Sequence, residues 1–238
     1  MKYLKLFSNH TDYDEAKQNL ILPNVSLCVA ENDVHYNPYV DPYNGHAYVD
    51  LGLPSGTKWA TMNVGASSET DYGNYYQYGK GAAQYAATSG DSDYSGTEDP
   101  LATSADTAAQ VWGGEWHMPT RAQMQELRAN TTYQWVANYN DSGINGNLFT
   151  AQNGNSIFLP AGGHWYNGNQ NNVGFRGEYY SSSPYESDMA CELSFSDVGC
   201  HAIENARNSG YSIRPVVDGD FSGSNDGGFS EGGSEGAD

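Results

Sequence analysis

Hydrophobic and polar positions alternate with a period of two in several short runs of this chain, and a helical period replaces it in two places. Lys2-Tyr-Leu-Lys-Leu-Phe7 alternates like a half-buried strand. Thr11-Asp-Tyr-Asp14 stands as a capping box before the short helical run Glu15 to Leu20, which Pro23 ends. Asn24 to Val29 and Asp33 to Tyr36 supply further strand. Tyr48 to Leu51 and Lys58 to Val64 are strand-like and bracket the turn Pro54-Ser55-Gly56, where Pro presets the bend and Gly accepts a positive φ. The second helix is predicted from Pro119 to Asn130, capped by Thr120. Its Ala122, Met124 and Leu127, with Tyr133, make one apolar face, and Gln123, Gln125, Glu126 and Arg128 face water. Ile144 to Leu148 and Ser156 to Leu159 follow as short strands beside Asn145-Gly146 and Asn153-Gly154, signals that favour a hairpin. From Ala66 to Gln110 periodicity gives way to Gly, Ser, Thr, Asp and Tyr, which predicts a long irregular excursion.

These elements predict an α+β fold in three parts. Residues 1–40 form a small β/α unit, too short to bury much by itself, that serves attachment or oligomerisation. Residues 41–217 form the main body with its irregular loops. Residues 218–238, rich in Gly, Ser, Asp and Glu, cannot repay the entropy of ordering and are expected to be a disordered acidic tail.

Composition narrows the partners. Ten Lys and Arg against 29 Asp and Glu give a formal charge of -19, which repels phosphate backbones and anionic leaflets, so neither nucleic acid nor membrane insertion is expected. The 19 tyrosines outnumber 7 phenylalanines, weighting the aromatic content toward rings with a polar tip, suited to recognition. Cys28, Cys191 and Cys200 are an odd, scattered set that makes no disulfide framework, with a Cys191–Cys200 bridge left open. The opening residues, with Lys2 and Lys5 followed by Ser8-Asn9-His10, hold no apolar stretch long enough for a signal peptide or a membrane span, and assembly in a cytoplasm is the expectation.

Five blocks carry a resemblance. Tyr48-Val-Asp-Leu-Gly-Leu-Pro-Ser-Gly-Thr-Lys-Trp-Ala-Thr-Met-Asn-Val-Gly-Ala66, Asp71-Tyr-Gly-Asn-Tyr-Tyr76, Trp112-Gly-Gly-Glu-Trp-His-Met-Pro-Thr120, Asn153-Gly-Asn-Ser-Ile-Phe-Leu-Pro-Ala161 and Ser212-Ile-Arg-Pro-Val216 follow one another over most of residues 45–216. In order and spacing they resemble the Fibrobacter succinogenes major paralogous domain family. Met62 stands where many relatives carry Cys, so any role of that thiol does not transfer. The family is similar to C-type-lectin-fold proteins, including the variable target proteins of diversity-generating retroelements in gut bacteria and their phages. The resemblance therefore implies a C-type-lectin-like body whose later stretch, about His164 to Arg207, carries the ligand-binding side chains. Within it Gly168, Gly174 and Gly177 are expected to break regular structure, and Ser181, Ser182, Ser183, Leu193 and Phe195 to serve as framework.

The candidate ligand-binding residues are His164, Trp165, Tyr166, Arg176, Glu178, Tyr179, Tyr185, Glu186, Asp188, Met189, Glu192, Asp197, His201 and Asn205. Tyr and Trp supply contact area at small entropic cost, as in a paratope. Trp165 and Tyr166 serve equally well as core aromatics, and Tyr179-Tyr180 should divide, one ring inward and one outward. Trp59, Trp112, Trp116 and Trp135 are assigned to the core.

No catalytic residues and no cofactor emerge. Histidines at 10, 35, 46, 117, 164 and 201 stand singly, without metal-ligand spacing. Asp91-Ser92-Asp93 with Glu98-Asp99 could hold a structural Ca²⁺, though a solvated loop is the favoured reading. There is no Gly-x-Ser-x-Gly elbow and no Cys with an evident His partner, so a binding protein is expected and a glycan-acting enzyme is the minority view. The leading expectation is a phage receptor-binding protein, virion-borne at a tail fibre tip and suited to a homotrimer. Residues 1–40 would join a phage structural protein and the later stretch a bacterial surface protein or glycan. An exported cell-surface adhesin or carbohydrate-binding module is the alternative.

Overall fold

A computed structural model describes residues 43–81 and 94–219. The expected N-terminal unit, the Asp91-Ser92-Asp93 part of the calcium candidate and the tail beyond residue 219 lie outside the described residues. In chain order the strands are β1 (Tyr48–Val49), β2 (Lys58–Ala60), β3 (Thr131–Val136), β4 (Gly146–Ala151), β5 (Ser156–Pro160), β6 (His164–Tyr166), β7 (Asn169–Asn171), β8 (Gly177–Tyr185), β9 (Met189–Ser196), β10 (Gly199–Ala206) and β11 (Val216–Val217). Helices α1 (Thr107–Trp112) and α2 (Arg121–Asn130) lie between β2 and β3. The body is a mixed α and β fold of small antiparallel sheets, ordered β1-β2-β11, β3-β4-β5, β6-β7 and β8-β9-β10.

Strand alternation sorts the core into two clusters. In the first sheet Tyr48, Ala60 and Val217 join one cluster with Trp112, Trp116, Tyr180 and Tyr211. Their neighbours Val49, Trp59 and Val216 join the other with Met124, Leu127, Tyr179, Leu193 and Phe195. Successive residues of a strand point to opposite faces, so a sheet covered on both sides buries adjacent aromatics. For that reason Tyr179 and Tyr180 do not divide into inward and outward; both are buried. Trp59, Trp112 and Trp116 are buried as expected, and Trp135 packs partly buried against the second cluster.

Three of the five sequence blocks meet at Arg214. Its fully buried guanidinium donates to Asn63 Oδ1 at 2.8 Å, to the Ala60 carbonyl at 2.9 Å and to the Phe158 carbonyl at 3.0 Å. The first, fourth and fifth blocks are thereby fastened to one side chain. Burial lowers the Arg214 pKa to about 10, so the group stays charged at neutral pH.

Local departures from the sequence pattern have physical reasons. Thr120 caps α2 in a reciprocal capping box with Gln123, as its position suggests. Gln123 does not face water. Buried, it donates to Thr57 Oγ1 at 3.0 Å and to Asp218 Oδ1 at 2.7 Å, while Ala122 is exposed. Helix α2 runs straight into β3, where Thr131, Thr132, Tyr133 and Trp135 favour extended backbone and override the helical period. The expected hairpin forms as β4 and β5, with Phe149 opposite Ile157.

The Ala66 to Gln110 excursion ends in α1, capped by Asp106, whose second carboxylate oxygen accepts the Met118 N–H at 2.8 Å. Further on it is fastened to β8, where the register with β9 shifts between Tyr180 and Pro184 and Ser181, Ser182 and Ser183 leave the regular ladder. The Ser182 carbonyl accepts the Leu101 N–H at 2.9 Å and the Tyr78 hydroxyl at 3.0 Å. Arg207 reaches the same excursion, donating to the Tyr94 and Gly96 carbonyls as well as to those of Glu186 and Met189.

Candidate functional site: a polar sheet face over a buried carboxylate

The stretch His164 to Arg207, expected to be broken by glycines, forms five strands instead. Asn167 (φ 53°) and Gly168 (φ 71°) are the two central residues of the β6–β7 turn, both left-handed, which matches the primed turn that a right-twisted hairpin prefers. Gly168 therefore makes regular structure. Gly177 lies under the Phe195 ring, where an added Cβ would collide.

Register divides the three-stranded sheet into two faces. Tyr179 sits opposite Leu193, and Leu193 opposite Ala202. Around that row Gly177, Phe195 and Cys200 complete the face turned to the second core cluster, toward α2. The other face carries Glu178 and Tyr180 from β8, Ala190, Glu192 and Ser194 from β9, and His201, Ile203 and Asn205 from β10. Tyr180 and Ala190 fix its inner end in the first cluster, and the β10 side chains stand at its open edge.

Two glutamates make this face unusual. Glu178, only 2% exposed, holds its Oε2 2.7 Å from Nδ1 of His164. Glu192 is wholly buried, and neither of its oxygens meets a hydrogen-bond partner in good geometry. Burial, reinforced by the neighbouring Glu178, pushes its carboxyl up to about 8, while loose hydrogen bonding from Asn205 and Tyr211 and the charge of Arg176 pull the other way. Tyr211 closes the floor, its ring 4.3 Å from that of Tyr180 and edge-on to His164 at 5.7 Å. Burial first, then Glu192, holds its hydroxyl protonated far above the usual range.

The fourteen candidates separate accordingly. His164, Arg176, Glu178, Glu192, His201 and Asn205 belong to this face or its edge. Glu178 and Glu192 lie beneath the surface, not on it, because their positions in β8 and β9 are covered on both sides. Tyr179 is a core residue: its hydroxyl donates to the Pro160 carbonyl at 2.7 Å and its ring stacks on Phe195. Trp165 points away from His164 by alternation and packs edge-on against Tyr75, half-buried, and Tyr166 is exposed beside the β6–β7 turn. Tyr185, Glu186 and Asp188 are exposed at the β8–β9 turn with Met189 half-buried beside them. Asp197 is exposed at the β9–β10 turn, at the opposite end of the sheet. A single patch containing all fourteen is therefore not formed.

Ser194, Ile203 and Tyr211 belong to the face and were not anticipated. The period of two through Ala190, Glu192, Ser194 and through His201, Ile203, Asn205 is the signal that identifies the first two. Tyr211 arrives from a distant segment and has no such signal.

Both described thiols are free and buried, four residues apart in register, Cys200 facing Phe195 and Cys191 facing Glu204, so they are not bridged. Burial raises the Cys191 pKa and pushes Cys200 up to about 11, which keeps them as packed thiols and not nucleophiles. Asp99 of the calcium candidate accepts the Ser183 hydroxyl at 2.7 Å, and among the described residues no three His, Cys, Asp or Glu side chains converge as metal ligands. No helix among the described residues is long and apolar enough to cross a membrane. Comparison with family models, with curated proteins and with solved structures gives no match.

Proposed function

We propose that the chain is a ligand-binding display protein with a C-type-lectin-like body, a phage receptor-binding protein at a tail fibre tip whose binding face is diversified by a retroelement. The observation that carries the binding role is the polar face of β8-β9-β10, an ordered floor of Glu178, Glu192 and Tyr211 edged by His201, Ile203 and Asn205 on a strand that pairs on one side alone among the described residues. A fixed floor with changeable side chains at its edge is the arrangement a recognition surface needs, since ordering costs are met before the ligand arrives. The bacterial surface target comes to this reading through the block resemblance, and the attachment of residues 1–40 to a phage structural protein and the homotrimer are proposed with it.

The test is attachment of the labelled protein to intact gut bacteria. Arg176→Ala, His201→Ala and Asn205→Ala should each reduce attachment while leaving the melting temperature within a degree or two of the parent. Undiminished attachment in all three would remove this face as the binding surface.

A further inference from the structure

Glu178 and Glu192 are diagonal neighbours on one face: Glu178 lies opposite Ser194 and Glu192 opposite Tyr180. Two carboxylates this close repel each other, and the cations nearby do not relieve Glu192. His164 is engaged with Glu178, and Arg176, exposed, acts on Glu192 only through its field. A wholly buried carboxyl whose oxygens meet no hydrogen bond in good geometry is costly in a finished fold, and a ligand is one thing that can repay that cost. Beside Glu192 on β10 stands Ile203, directly opposite it in register and about a third exposed, between His201 and Asn205. The ligand would reach the carboxyl by displacing side chains at that open edge.

Resting on the binding role proposed above, we propose that Glu178 and Glu192 are the floor of a subsite for a primary ammonium group presented by the ligand. An ammonium has three donors in a compact volume, and Glu178, Glu192 and the Tyr211 hydroxyl offer three acceptors. The Ile203 side chain and the Tyr180 and Tyr211 rings suit the aliphatic stem or ring that carries it. A guanidinium is larger and planar, and a hard metal ion wants more oxygens than two carboxylates and a phenol supply.

A lysine side chain and an amino sugar both carry this group. Calorimetric titration of the full chain near pH 8 with Nα-acetyl-lysine methylamide and with glucosamine separates them; the Nε-acetylated lysine and N-acetylglucosamine are the neutral controls. One or both amines should bind and the matching acetylated controls should not. Glu192→Gln should weaken amine binding about tenfold or more without lowering the melting temperature. Ile203→Lys should place its own ammonium opposite Glu192 and abolish amine binding. Silence toward both amines, equal binding of the acetylated forms, unchanged binding in Glu192→Gln or Ile203→Lys, or a destabilised Glu192→Gln would each overturn the subsite. The titration needs no cells, so its failure is separate from a failure of bacterial attachment.

Discussion

Arg214 and Glu192 are both ionisable residues buried in the body, and they live in opposite circumstances. Arg214 spends its donors on three acceptors from two blocks of the chain, whereas neither Glu192 oxygen meets a hydrogen-bond partner in good geometry. A buried guanidinium surrounded by fixed acceptors holds a scaffold together; a buried carboxylate left empty strains it. The contrast separates a buried charge that holds shape from a buried carboxyl beneath the proposed recognition face.

The largest expected effect lies at the saturated charge. Arg214→Met leaves the Ala60 and Phe158 carbonyls and Asn63 Oδ1 buried and unpartnered, which should cost about 3 kcal/mol or more in chemical denaturation. A loss below about 1 kcal/mol would put the scaffold's strength elsewhere. At the empty charge the sign reverses. The folded chain keeps the Glu192 proton up to about 8, while the unfolded one releases it near 4.5, so the folded state binds more protons between those values. Its contribution is fully present below about 4.5 and is lost as pH rises through 8. Glu192→Gln, neutral throughout, should nearly match the parent near pH 5 and exceed it near pH 8 by on the order of 3 kcal/mol. Parallel stability curves across that range would show the carboxylate to be already satisfied.

Smaller effects sharpen the same contrast. Thr120→Ala removes the hydroxyl that accepts the Gln123 N–H while keeping the backbone arm of the capping box on α2, and should cost about 1 kcal/mol, whatever the pH. Asp188→Ser, at an exposed turn, should fall within roughly 0.5 kcal/mol of the parent. A larger loss there would extend the scaffold into the turns.

Much of the scaffold was legible because its signals are local. The Thr120 cap, the Asn153-Gly154 hairpin and the burial of Trp59 and Trp116 follow from residue type and spacing alone. What escaped depends on neighbours the sequence does not list together. Tyr179 and Tyr180 look like one inward and one outward ring until a second layer is known to cover β8. Gln123 looks solvated until Thr57 and Asp218 arrive to receive it. Asn167-Gly168 carries a primed-turn signal in the sequence, masked by the glycines that follow at 174 and 177. The division of the candidate site followed from register: a list of chemically suitable residues between 164 and 205 says nothing about which of them a twofold alternation puts on the same side.

Arg207 carries a consequence for how the molecule opens. Four carbonyls from two regions ninety or more residues apart in sequence converge on its guanidinium, which also rests over the Tyr78 ring at 4.9 Å. Amide hydrogen exchange near Gly96 and at the Glu186 turn should thus share one opening free energy, and Arg207→Ala should release the two together.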